Sequence, residues 1–172
     1  MKQEIENARN RQDSVGGILE TVISGVEAGI GEPTFSSLES MLSEAMFSIP
    51  AVKGIEFGSG FDFANMYGSE ANDAWTIQDN KVITKTNHNG GINGGISNGM
   101  PITFKTVIKP TPSISLEQDS VNYETKENVK LSISGRHDPA IIHRARAVVD
   151  AMTALVIADA YMMTYGRKWF EK

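Results

Sequence analysis

"NHNGGINGGISNGMPITFKTVIKPTPSIS", residues 87–115, sets a glycine-rich run directly against an alternating one. Ile102, Phe104, Thr106 and Ile108 share one parity, and Thr103, Lys105 and Val107 the other, which is the period of a strand with one buried face. Just before it, five glycines fall between residues 90 and 99. Glycine at that density weakens a regular element, because it loses the most conformational entropy on folding and adds no side chain to a core. The run therefore needs a specific reason to be bare backbone.

Outward from this strand the pattern alternates in type. Residues 14–26, "SVGGILETVISGV", are β-rich and open on a glycine pair, and residues 52–63 return to strand-like alternation. Between them, Pro33 marks a helix start, and Phe35, Leu38, Leu42, Ala45 and Met46 keep helical spacing until Pro50 stops it. A polar stretch over residues 67–80 reads as a surface excursion, and residues 120–135 as two short strands around a Lys-Glu-Asn turn. Residues 1–10 read as helix. A long helix is expected over 139–170, with Ile142, Ala145, Val149, Met152, Val156 and Ala160 on one face. Helices packed on antiparallel strands make an α+β fold. At 172 residues with 40% hydrophobic content, the chain fits one domain, 1–172, with a sizeable core.

Composition narrows the function classes. Without cysteine there is no disulfide, thiolate metal site or cysteine nucleophile, and no metal centre is expected. A formal charge of −5 argues against a general nucleic-acid binder. No apolar stretch reads as membrane-spanning and the first residues lack a signal-peptide core, so a cytoplasmic protein is expected. An anionic ligand must then be held locally. Arg136, His137 and Asp138 stand where a strand gives way to a helix, a place where free N–H groups favour negative charge. By local pattern alone, Asp138 before Pro139 is an ordinary helix N-cap and "KPTPS" a proline-rich loop.

Six ordered segments together resemble the C-terminal half of the chorismate synthase family: "DSVGG" (13–17), "GIGEP" (29–33), "SIPAVKGIEFGSGF" (48–61), "TNHNGGINGGISNGMPI" (86–102), "KPTPSI" (109–114) and "GRHDPAI" (135–141). The family's N-terminal half, with its Gly-x-Ser-His-Gly-type and Ser-x-Arg-x-Thr-type segments, has no counterpart here. The resemblance implies half of a β-α-β sandwich from a homotetrameric enzyme of aromatic amino acid biosynthesis. That enzyme eliminates phosphate from 5-enolpyruvylshikimate 3-phosphate to give chorismate, using reduced FMN, with NADPH as an associated reductant. Such an electron-rich cofactor carries the hard chemistry while the protein orients it.

By the same resemblance, flavin contacts fall on Pro50, Ala51, Gly94, Lys109, Pro110, Thr111, Pro112, Ser113 and Arg136. Arg136 also suits substrate, since its guanidinium can fork to a phosphate or carboxylate. Asp138 matches the family aspartate near the reactive face of the flavin, placed for proton transfer. The pairs Gly90-Gly91 and Gly94-Gly95 are expected to let backbone approach the flavin. Pro50 stands where many members have asparagine and Asp150 where glutamate is common. The chain alone is expected to be inactive, and the alternative is a non-catalytic FMN-binding or assembly module prone to self-association.

Overall fold

The computed structural model describes residues 1–135 and 137–166. Its centre is the strand first read from the sequence. β7 (Ile102–Ile108) lies between β1 (Gly17–Ile23) and β2 (Val52–Phe57), antiparallel to both, in the order β1-β7-β2. Ile102, Phe104, Thr106 and Ile108 are buried while Lys105 and Val107 face outward, so alternation follows the pleat as expected. In β2 a register irregularity between Val52 and Gly54 shifts the pairing against β7.

Two helices cover the buried face. α2 (Leu38–Ser48) packs on β2 and on α4 (Ile142–Tyr165), and α4 packs on β1. Leu38, Leu42 and Met46, at helical spacing, are fully buried in one core with Phe104, Ile108 and Val149. Pro33 does not open α2: a 3-10 turn over Thr34–Ser36 comes first, and Ser37 caps the helix by accepting the Ser40 N–H at 3.1 Å. α1 (Lys2–Asn10) is largely exposed, with Ala8 buried. A short helix α3 (Gly68–Ala71) follows a 3-10 segment over Gly60–Asn65. Mixed helix and antiparallel sheet is the α+β arrangement expected.

α4 begins at Ile142, later than residue 139, and positions 167–170 of the expected helix lie outside the described residues. It is long and apolar enough to cross a membrane by length and composition, a property the sequence reading overlooked. In this fold Val149, Thr153, Val156 and Ala160 are buried against the domain, while Asp150 and Asp159 lie along the same helix.

Three hairpins stand apart from the sheet. The region read as a polar excursion contains β3 (Trp75–Gln78) paired with β4 (Lys81–Thr84), and Asp79 and Asn80 both take positive φ in the two-residue turn. β5 (Ile92–Asn93) and β6 (Ile96–Ser97) form a small hairpin around Gly94-Gly95. β8 (Gln118–Asn122) and β9 (Glu127–Leu131) pair around residues 123–126, a turn slightly earlier than expected.

Candidate functional site

The turn that leaves α2 determines where the site residues gather. Pro50 and Ala51 are the central residues of a four-residue turn closed by Val52 N–H donating to Ile49 O at 3.3 Å. Proline presets φ at the first central position, and the second takes φ of +73° at Ala51, a conformation that costs a non-glycine residue about 1 kcal/mol. The Ala51 carbonyl accepts the Lys109 N–H at 2.9 Å, which ties this strained turn to the strap 109–113 at the end of β7. The Ser14 hydroxyl donates to Thr111 O at 2.6 Å, and Val15 N–H donates to Pro139 O at 2.8 Å. Residues 14 and 15 thus stitch the strap to the segment carrying Asp138.

Pro50, Ala51, Lys109 and Thr111 are therefore brought together, with Pro110, Pro112 and Ser113 on the same strap. The Thr111 hydroxyl oxygen is buried and has no hydrogen-bond partner among the described residues. A buried hydroxyl without a partner costs about 1–3 kcal/mol, so this atom is what an incoming acceptor or donor would satisfy.

Gly94 is elsewhere. Its hairpin sits at the other end of α2, where Leu38 N–H donates to Gly95 O at 3.0 Å. Eleven helical residues at about 1.5 Å each separate the two ends by roughly 16 Å. The glycines also have a different reason from the one expected. A Cβ on Gly90 would meet Thr103 O at 2.7 Å, one on Gly91 Pro101 O at 2.5 Å, and one on Gly95 Glu32 O at 2.6 Å. Close approach of this chain to itself demands those three. Only at Gly94, of the two pairs, is the space beyond the backbone open.

Asp138 is not the N-cap that local pattern suggested. The capping position is Ile141, which makes no side-chain cap, and the Asp138 carboxylate instead pairs with the Arg144 guanidinium in the first turn of α4. Arg136, expected to contact both flavin and substrate, lies outside the described residues.

The sequence reading missed Asp73. Its carboxylate accepts the Thr86 hydroxyl at 2.7 Å, the main-chain N–H of His88 and Asn89 at 2.7 and 2.9 Å, and the Asn89 amide at 2.8 Å. Burial by itself pushes this carboxyl up, and the four donors outweigh that, holding it below its ordinary value. His88 Nδ1 lies 2.9 Å from the Ser59 hydroxyl. An aspartate in a stretch discounted as surface gave no local signal for this role. Its neighbour, the Asp79-Asn80 hairpin turn, was the available clue that the stretch is structured.

The family model described as chorismate synthase matches residues 1–162. The chain belongs to the chorismate synthase family. It is 51% identical to the chorismate synthase of Lachnoclostridium phytofermentans over 98% of this chain and 47% of that protein, and 50% identical to that of Methanosarcina barkeri over 96% and 45%. A crystal structure of chorismate synthase superposes with a TM-score of 0.76 at 28% identity, covering 96% of this chain and 42% of that one. The chain thus spans less than half the length of the chorismate synthases it matches. Its strap and Asp138 segment fall within the matched range.

Proposed function

We propose that this chain carries the flavin-holding part of a chorismate synthase, a lyase that removes phosphate from 5-enolpyruvylshikimate 3-phosphate with the help of reduced FMN. The observation that carries the reading is the buried, unpartnered Thr111 hydroxyl on a strap tied to Ala51 and Ser14. The residues present fit a phosphate-bearing cofactor. Thr111 and Ser113 offer hydroxyl donors and Lys109 a point charge, and two prolines limit the ordering needed on binding. When bound, reduced FMN supplies an electron-rich ring that offsets electron deficiency as phosphate departs. Asp138, steered by Arg144, holds or moves a proton at its carboxylate oxygen. The rest of the relatives' length supplies the remaining groups, so turnover belongs to the whole cytoplasmic homo-oligomer.

The test is titration of the chain with FMN and with riboflavin, followed by flavin fluorescence. Saturable FMN binding, weakened at least about tenfold by loss of the phosphate or by Lys109→Ala, is the expected result. Equal binding of FMN and riboflavin, or none up to millimolar flavin, overturns the strap as a phosphate holder.

A second reading, as an assembly module, is favoured by the exposed Val148, Leu155 and Met162 on α4. Concentration-dependent association without flavin binding would support it.

A further inference from the structure

Three Asn-Gly pairs stand between residues 89 and 99: Asn89-Gly90, Asn93-Gly94 and Asn98-Gly99. An asparagine before glycine is open to attack by its own chain. The glycine nitrogen, with no Cβ beside it, can add to the side-chain amide carbon and close a cyclic imide. We propose that Asn93 is a site of self-modification, an intramolecular deamidation to aspartate and isoaspartate at the tip of the β5–β6 hairpin, from which the fold protects Asn89 and Asn98. The inference does not depend on flavin binding.

The reaction needs an unpaired nucleophile, a polarised carbonyl and a leaving group that nothing holds. Asn93 has all of these. The Gly94 N–H has no acceptor among the described residues, and a Cβ on Gly94 would meet nothing within 4 Å, so the approach is open. Asn93 Oδ1 accepts the Asn98 Nδ2–H at 2.7 Å, a donor aimed at the oxygen on which negative charge develops during attack. Asn93 Nδ2 has no partner among the described residues and its position is exposed, so ammonia can leave into solvent. At Asn89 the opposite holds. Gly90 N–H donates to Asn87 O at 3.1 Å and Asn89 Nδ2 to Asp73 Oδ2 at 2.8 Å, which ties both nucleophile and leaving group. Asn98 lies between these cases: its Oδ1 accepts the Met100 N–H at 2.9 Å, but its amide nitrogen is held as the donor to Asn93.

The step balances with water as the only co-reactant. The Gly94 nitrogen loses its proton to solvent and bonds to Asn93 Cγ, and the Cγ–Nδ2 bond breaks to release ammonia. Water then opens the imide, giving aspartate by attack at the side-chain carbonyl and isoaspartate by attack at the main-chain carbonyl. A hairpin with two residues in each strand is marginal by itself and opens readily, which lets the Asn93 backbone turn toward the imide. Isoaspartate lengthens the main chain by one carbon just before Gly94-Gly95. Because Gly95 O accepts the Leu38 N–H at 3.0 Å, that extra carbon displaces an acceptor from the first turn of α2.

The experiment is incubation of the folded full chain at mildly alkaline pH, then trypsin digestion and mass spectrometry of the fragment 86–105, which holds all three pairs. Fragmentation reports which asparagine has changed. Conversion at Asn93 is expected at least about tenfold faster than at Asn89, where two hydrogen bonds must open, and about fivefold faster than at Asn98, where one must. In urea the three rates should converge. Asn98→Asp keeps an acceptor for the Met100 N–H and removes the donor to Asn93, so conversion at Asn93 should slow about fivefold. Gly94→Ala, at a position with open space, should slow it at least as much, and reads out the same attack if Asn98→Asp does not fold. Aged protein carrying isoaspartate should melt below the Asn93→Asp variant. Fastest conversion at Asn89 or Asn98 in the folded chain, the same ranking of rates in urea, or Asn93 rates unchanged in both variants overturn the proposal.

Discussion

Asp73 Oδ1 accepts the main-chain N–H of His88 at 2.7 Å, across fifteen residues of chain. With the Asn89 and Thr86 donors on the same carboxylate, the loop that opens the glycine-rich run is suspended from one side chain. Asp73→Asn replaces an acceptor oxygen with an amide that faces other donors. The expected loss is about 2–3 kcal/mol in urea unfolding. A loss under half a kilocalorie would mean that the loop is held elsewhere.

The same carboxylate sets an acid limit. Its folded-state value is depressed, so its contribution is present above the ordinary carboxylate range and is lost as pH falls through the folded value. Glu56 acts in the same direction, lowered chiefly by the hydrogen bond from Lys105 Nζ at 3.0 Å. Melting temperature should therefore fall between about pH 5 and pH 3, less steeply in Asp73→Asn. Identical pH profiles for the two proteins would rule out Asp73 as a source of the acid sensitivity.

The two glycines of the small hairpin should respond differently to the same substitution. Gly94→Ala places a Cβ in open space at φ +59°, so only backbone strain of about 1–2 kcal/mol is expected. Gly95→Ala adds contacts of 2.6 Å with Glu32 O and 2.7 Å with the Ser37 Cβ, for a total of at least about 3 kcal/mol. Equal costs in thermal denaturation would show that the hairpin moves away from α2 freely.

Thr111→Val separates ligand binding from packing. It removes an unpartnered buried hydroxyl at nearly constant shape, so stability should rise by up to about 1 kcal/mol. FMN affinity should fall about tenfold in the fluorescence titration, because the hydroxyl's partner is lost. A variant that loses stability and keeps its affinity would place the hydroxyl in the fold's own hydrogen bonding.

How far the sequence could be read follows from the range of each interaction. The face of β7 was legible because strand alternation is set by adjacent residues: Phe104 and Ile108 had to point where Lys105 and Val107 did not. The apolar faces of α4 and of α2 from Leu38 onward were legible for the same reason, as was membership of the family through its ordered motifs, but Phe35, expected on the α2 face, lies in the 3-10 turn before that helix and is exposed. Local pattern misread Asp138 as a cap because its partner, Arg144, becomes a neighbour only once α4 starts at Ile142.

The sequence by itself determined the α+β class and the buried parity of the central strand, and its resemblance to the family named Pro50, Ala51, Gly94, the 109–113 strap and Arg136 as one candidate site. Only the tertiary structure decided that Gly94 lies at the opposite end of α2, that Gly90, Gly91 and Gly95 make room for this chain's own carbonyls, and that Asp73 carries the loop. Those outcomes depend on hydrogen bonds and close approaches between segments far apart in sequence, which exist only after β7 has drawn β1 and β2 together.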